Sequence, residues 1–171
     1  MMRVLALAWL VILAACTQAK SPDMKVGPDD WATTGGDAGK SHHSKLTDIS
    51  PENVETLGLA WSADLGTNRV LEATPIVIDG VMYTSGVAGR AYAFDAATGK
   101  PRWKFEPEVD MQVNRTVCCD MANRGVAVAR GKVFVAALDA TLYALDAKTG
   151  HILWEVDTVD DKQRGINSTG A

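Results

Sequence analysis

Shifting the chain by 51 residues lays residues 75–103 over 126–154 without a gap, and that register constrains the fold more than any other feature. Tyr92, Ala93, Asp95, Ala96, Thr98, Gly99 and Trp103 fall on Tyr143, Ala144, Asp146, Ala147, Thr149, Gly150 and Trp154. Gly80 falls on Gly131, each between two runs rich in β-branched or aromatic residues. Self-similarity at about 50 residues belongs to repeat architectures, in which each unit buries its apolar face against the next.

Within one repeat the local chemistry is all β. Ile76-Val77-Ile78 and Val81-Met82-Tyr83 flank Asp79-Gly80, a two-residue hairpin signal. Ala91 to Phe94 forms a further run and leads into Asp95-Ala96-Ala97-Thr98-Gly99. In that turn the carboxylate can accept backbone N–H bonds while Gly99 supplies a positive φ. Trp103 opens the next strand, so one repeat reads as a four-stranded blade of a β-propeller. Its outer-strand tryptophans fill the gaps between blades. No apolar set recurs at helical spacing, which disfavours a helical solenoid. The tryptophans, tyrosines and turn aspartates are therefore scaffold.

Upstream of the repeats the signals are weaker. Asp48–Asn53 resembles a short helical turn around Pro51. Leu57–Leu65 reads as a strand, with Trp61 in the outer-strand role of a blade completed by chain outside this sequence. His42-His43 lies in a Gly-, Ser- and Thr-rich stretch without a spaced third ligand, which points to a solvated loop rather than a metal site.

The N-terminus sets the compartment. Arg3 precedes an unbroken apolar run from Val4 to Leu13, too short to span a membrane and laid out as a secretory signal over residues 1–15. Leu13-Ala14-Ala15-Cys16 is similar to a bacterial lipobox, which implies lipid on Cys16 and a membrane-anchored periplasmic lipoprotein. Residues 16–30 are polar with two prolines and read as a flexible tether. The net charge is −4 with no basic stripe, which argues against nucleic acid as a partner.

Export exposes the remaining cysteines, Cys118 and Cys119, to oxidation. They can bond to each other, bond between molecules, or stay free, and the vicinal disulfide is the favoured state. Its eight-membered ring forces the intervening peptide away from relaxed trans geometry. Arg124, five residues on, adds a permanent cation with a planar donor fork.

At this point a family resemblance emerges. The twice-occurring AxDAxTGxxxW pattern resembles the tryptophan-docking repeat of pyrroloquinoline quinone (PQQ) dehydrogenases, which are eight-bladed propellers. Leu71-Glu72-Ala73-Thr74-Pro75 is similar to the family's glutamate segment. CCDMANRG (118–125) resembles the vicinal-disulfide segment of the alcohol-oxidising branch, its wording closest to the quinohaemoproteins. Ser168-Thr169-Gly170-Ala171 is a weaker likeness to a cofactor-contacting segment. Eight blades need roughly 400 residues. The expectation is therefore an all-β, partial eight-bladed propeller of about two to three blades, with residues 31–171 as the N-terminal part of a longer chain.

The resemblance implies that Glu72, Arg124 and Thr169 contact the polar rim of PQQ and that a Cys118–Cys119 disulfide covers one of its faces. It implies oxidation of an alcohol to an aldehyde or ketone, with electrons leaving to a cytochrome c or a quinone. It also implies a PQQ-bound Ca²⁺ whose ligands, like the catalytic aspartate, lie beyond Ala171, so no base or metal ligand is assigned in this stretch. Asp120 receives no acid–base role. There is no C-x-x-C-H here, and haem c would belong to a downstream domain. As an isolated piece the chain is expected neither to bind PQQ tightly nor to oxidise alcohols. The alternative is a non-enzymatic propeller scaffold lipoprotein of outer-membrane assembly, which shares the repeats and needs no disulfide.

Overall fold

The computed structural model describes residues 24–109, 112, 115 and 120–159. The two repeats form two antiparallel four-stranded meanders. The first contains β1 (Ile76–Ile78), β2 (Val81–Ser85), β3 (Ala91–Asp95) and β4 (Pro101–Phe105), paired in that order. The second contains β5 (Ala127–Ala129), β6 (Lys132–Ala136), β7 (Thr141–Asp146) and β8 (Ile152–Asp157), again in order. Even the irregularities repeat: the pairing slips between Ala93 and Phe94 in one sheet and between Ala144 and Leu145 in the other.

The turns follow from their residues. Asp79 and Gly80 have φ of 51° and 69°, and Arg130 and Gly131 have 50° and 71°. Positive φ at both central positions is the two-residue hairpin geometry whose twist matches the flanking strands. Asp95 Oδ1 accepts from the Thr98 amide at 3.1 Å and the Thr98 hydroxyl at 2.8 Å. Asp146 does the same for Thr149, at 2.9 and 3.1 Å.

One face of the first sheet packs on the second, because alternation along β1 and β2 aims Ile76, Ile78, Val81 and Tyr83 the same way. They meet Val133, Val135, Tyr143 and Leu145 in one buried cluster. The tryptophans bridge the units as the repeat suggests. Trp103 donates its indole N–H to the Ala147 carbonyl at 2.9 Å and lies over Gly150, where a Cβ would come within 2.8 Å of the ring. Trp61 does the same one unit earlier, donating to Ala96 at 3.0 Å and lying over Gly99.

The expected strand over Leu57–Leu65 does not form: no ladder partner lies beside it among the described residues, and Trp61 docks from extended chain. A strand signal needs a neighbour to become a strand, whereas indole docking needs only the next turn. The turn expected around Pro51 is present and runs into a 3₁₀ turn at Val54–Thr56. The end of the segment read as a tether meets the first sheet, Asp30 at the β1–β2 turn and, just beyond that segment, Trp31 at β1. Asp30 accepts from the Asp79 amide at 3.0 Å, and Trp31 exchanges two 2.9 Å backbone bonds with Val77.

Candidate functional site at the non-repeating end

Antiparallel order gives the sheets two distinct ends. The hairpin turns and the Asp95–Gly99 and Asp146–Gly150 turns occupy one. The other collects the β2–β3 and β6–β7 turns, the segment entering β1, and the described ends of the long β4–β5 connection, 106–109 and 120–126. The entering segment and the β4–β5 connection hold every described residue singled out as a cofactor contact.

A small apolar platform holds this end together. Val87, Met121 and Leu138 are buried against one another. The Ala88 amide donates to the Met121 carbonyl at 2.9 Å, and the Leu138 amide donates to Ala88 at 3.4 Å. Three arginines of this end each stand beside an acid. Arg69 pairs with Asp120 at 2.5 Å, Arg90 with Glu106 at 3.0 Å, and Arg124 with Glu72 at 3.4 Å. Hydrogen bonding from Arg69 holds the Asp120 carboxyl below its ordinary value.

Glu72 and Arg124, far apart in sequence, are thus neighbours, with side chains 38% and 49% exposed. An exposed ion pair contributes at most about 1 kcal/mol, so stability gives little reason for this placement. At 3.4 Å the contact is also longer than a tight charge-assisted bond of about 2.7–2.9 Å. What results is an open pair whose arginine side chain is half exposed.

The residues beside Arg124 are fixed. Asn123 is only 3% exposed. Its Oδ1 accepts from the Ser85 hydroxyl at 2.6 Å and the Gly125 amide at 3.1 Å, while its Nδ2 donates to the Ala136 carbonyl at 2.8 Å. Gly125 has φ 134°, and a Cβ there would stand 3.3 Å from the Thr74 carbonyl oxygen. Thr74 is two residues from Glu72, so Gly125 seats one half of the ion pair against the chain carrying the other. Sequence reasoning missed Asn123 and Arg69. A buried side-chain bridge to two separate strands leaves no local pattern.

Cys118, Cys119, Thr169 and Cys16 lie outside the described residues. Among the described residues, no group of three His, Cys, Asp or Glu side chains could hold a metal ion. A cleft of about 680 Å³ lies at the hairpin end between the sheets, lined by Lys25, Asp79, Tyr83, Arg102, Asp146 and Lys148. It is the wedge left between neighbouring blades, and its Arg102 is engaged by Asp95 at 3.1 Å. The residues singled out by resemblance, Glu72 and Arg124, lie at the ion-paired end and do not line this cleft.

Comparison with known proteins decides the family. Residues 31–159 match the family profile described as PQQ: Glucose/ethanol/alcohol dehydrogenase, beta-propeller domain. The chain belongs to this family. The solved structure of quinohemoprotein alcohol dehydrogenase ADHIIG from Pseudomonas putida HK5 superposes with a TM-score of 0.77 at 49% identity, over 81% of this chain and 20% of that one. The 1-butanol dehydrogenase (cytochrome c) of Thauera butanivorans is 46% identical over 142 residues, 83% of this chain and 20% of that protein. The dehydrogenase subunit of alcohol dehydrogenase (quinone) from Komagataeibacter europaeus is 44% identical over 149 residues, 84% of this chain and 20% of that subunit. The chain spans about a fifth of the length of these PQQ-family relatives. The two sheets are accordingly two consecutive blades of a PQQ-type propeller.

Proposed function

We propose that this chain supplies the Glu72–Arg124 face of a PQQ site in an enzyme that oxidises alcohols to aldehydes or ketones. The donor set fits that cofactor. PQQ is a planar tricarboxylate, and a permanently charged fork that is half exposed can take a carboxylate edge-on. Glu72 would repel the same carboxylates, but its pairing with Arg124 neutralises it and leaves it an acceptor for a ring N–H. Arg124 therefore binds and orients the rim, and Glu72 holds Arg124 in place. When bound, PQQ supplies the acceptor for the two electrons removed from the alcohol carbon.

In this reading a Cys118–Cys119 disulfide covers one cofactor face and Thr169 adds a hydroxyl contact. A Ca²⁺ ion accompanies the cofactor, and no base or metal ligand is assigned within this stretch. The relatives named for cytochrome c and for quinone support one of these two as electron acceptor. Haem c would belong to a separate domain. The proposed address is the periplasmic face of a membrane, held by lipid on Cys16. Recovery of Cys16→Ala still in the membrane fraction after export would refute that anchor.

The open Glu72–Arg124 pair is the observation that carries the proposal. It is tested by titrating the intact apoprotein with PQQ and Ca²⁺ and assaying dye-linked oxidation of primary alcohols. Arg124→Lys keeps the charge but loses the fork. It should weaken PQQ binding by about tenfold or more, since a hydrogen bond to a charged group contributes about 1.5–3 kcal/mol. Unchanged PQQ affinity in Arg124→Lys would remove this face from the site.

A further inference from the structure

Asn123 is explained neither by the repeat nor by the proposed cofactor contacts. It is a side-chain amide, 3% exposed, in a loop that otherwise displays charges to solvent. Burying such a group without partners costs roughly 1–3 kcal/mol, and here the partners come from both blades. Ser85, which donates to its Oδ1 at 2.6 Å, is the last residue of β2. Ala136, whose carbonyl accepts from its Nδ2 at 2.8 Å, is the last residue of β6. Those two positions are equivalent under the 51-residue shift. One side chain therefore spans the same register point in successive repeats, through a hydroxyl in one and a backbone carbonyl in the other. The third bond, from the Gly125 amide at 3.1 Å, closes over Arg124 and fixes the backbone on either side of it.

We infer that Asn123 is a positioning residue: it transmits the relative placement of the two blades to Arg124 and so sets the guanidinium against Glu72 for cofactor binding. This rests on the reading of the Glu72–Arg124 face as a PQQ site. Gly125 completes the device. Its backbone approaches Thr74 closely enough that a Cβ would stand 3.3 Å from that carbonyl oxygen, and its φ of 134° disfavours any other residue. The Arg124 loop is thereby referenced to three places at once: the end of β2, the end of β6 and the segment that carries Glu72. An arginine on an unanchored loop would also pair with Glu72 at times, but it would lose rotational freedom on each binding event. Anchoring lowers that cost in advance.

A purely structural staple would produce the same bonds, so stability alone cannot decide. The test is a double-mutant cycle on the intact apoprotein, with PQQ affinity read by quenching of intrinsic fluorescence and unfolding followed alongside. Asn123→Ala, Arg124→Lys and the double variant are compared with wild type. If Asn123 acts through Arg124, each single change weakens PQQ binding by about tenfold, and the double variant binds no more weakly than the weaker single one. Asn123→Ala meanwhile lowers the unfolding midpoint equally in both arginine backgrounds. Independent, multiplying losses of affinity would overturn the inference, as would an Asn123→Ala protein that is less stable yet binds PQQ normally. If Arg124→Lys alone leaves affinity intact, the cofactor face itself is wrong, and the inference falls with it. Should Asn123→Ala not fold, Ser85→Ala takes its place in the cycle, since it removes one anchor and leaves the amide.

Discussion

The two ends of the paired sheets were built by different rules. At the hairpin end nearly everything occurs twice. Asp95 and Asp146 brace their turns alike, and Trp61 and Trp103 donate to equivalent carbonyls, those of Ala96 and Ala147. At the other end almost nothing does. Among the described residues, Arg69, Glu72, Asp120, Asn123 and Arg124 have no residue of the same type at the 51-residue shift, and their partners are 51, 52, 38 and 13 residues distant. A repeated contact serves what every unit shares, which is stacking. A contact made once serves something the protein needs once. In a repeat architecture, chemistry belongs where the repeat breaks.

That contrast can be attacked directly. The largest effect is expected from Trp103→Ala, which removes an interblade indole and its bond to Ala147. It should cost about 3 kcal/mol in urea unfolding, the low end for a large aromatic because Trp103 is only partly buried. PQQ affinity of the folded fraction should be unchanged. A large loss of affinity there would erase the distinction between the ends.

Asp95→Asn tests the turn end by pH and should have a smaller effect. The Thr98 hydroxyl, followed by Arg102, holds the Asp95 carboxyl below its ordinary value. A depressed carboxylate stabilises the fold above the unfolded value of about 3.9, and that contribution is lost as pH falls through the folded value. The stability gap between wild type and Asp95→Asn should therefore be present at pH 7 and close below about pH 4. A gap independent of pH would show that the carboxylate's charge is irrelevant to the turn.

The smallest effect should be a gain. Arg130 sits at φ 50° in a turn where the first repeat uses an aspartate. Arg130→Asn places a residue that tolerates the left-handed region and should stabilise by roughly 0.5 kcal/mol in thermal unfolding. Destabilisation instead would mean that the Arg130 side chain has a task of its own.

The fold was largely legible because its determinants are local. Asp79-Gly80 encodes its turn within two residues, and Asp95, Thr98 and Gly99 encode another within five. Leu57–Leu65 shows the boundary of that legibility: alternation suggests a strand, but strand pairing is a long-range event and no partner is described there. At the site, Glu72 and Arg124 could be named through resemblance to known enzymes, whereas their contact could not be read from spacing. Asn123 and the Arg69–Asp120 pair were invisible for the same reason. Each joins non-repeating segments through a three-dimensional coincidence of loops.

The most direct measurement is a crystal structure of the intact protein with PQQ bound. A carboxylate of the cofactor should lie within about 3 Å of the Arg124 guanidinium, at the end where Asn123 spans β2 and β6. Cofactor lodged instead beside Arg102 and Lys148 at the hairpin end, or Arg124 turned away from it, would contradict the assignment of chemistry to the end where the repeat breaks.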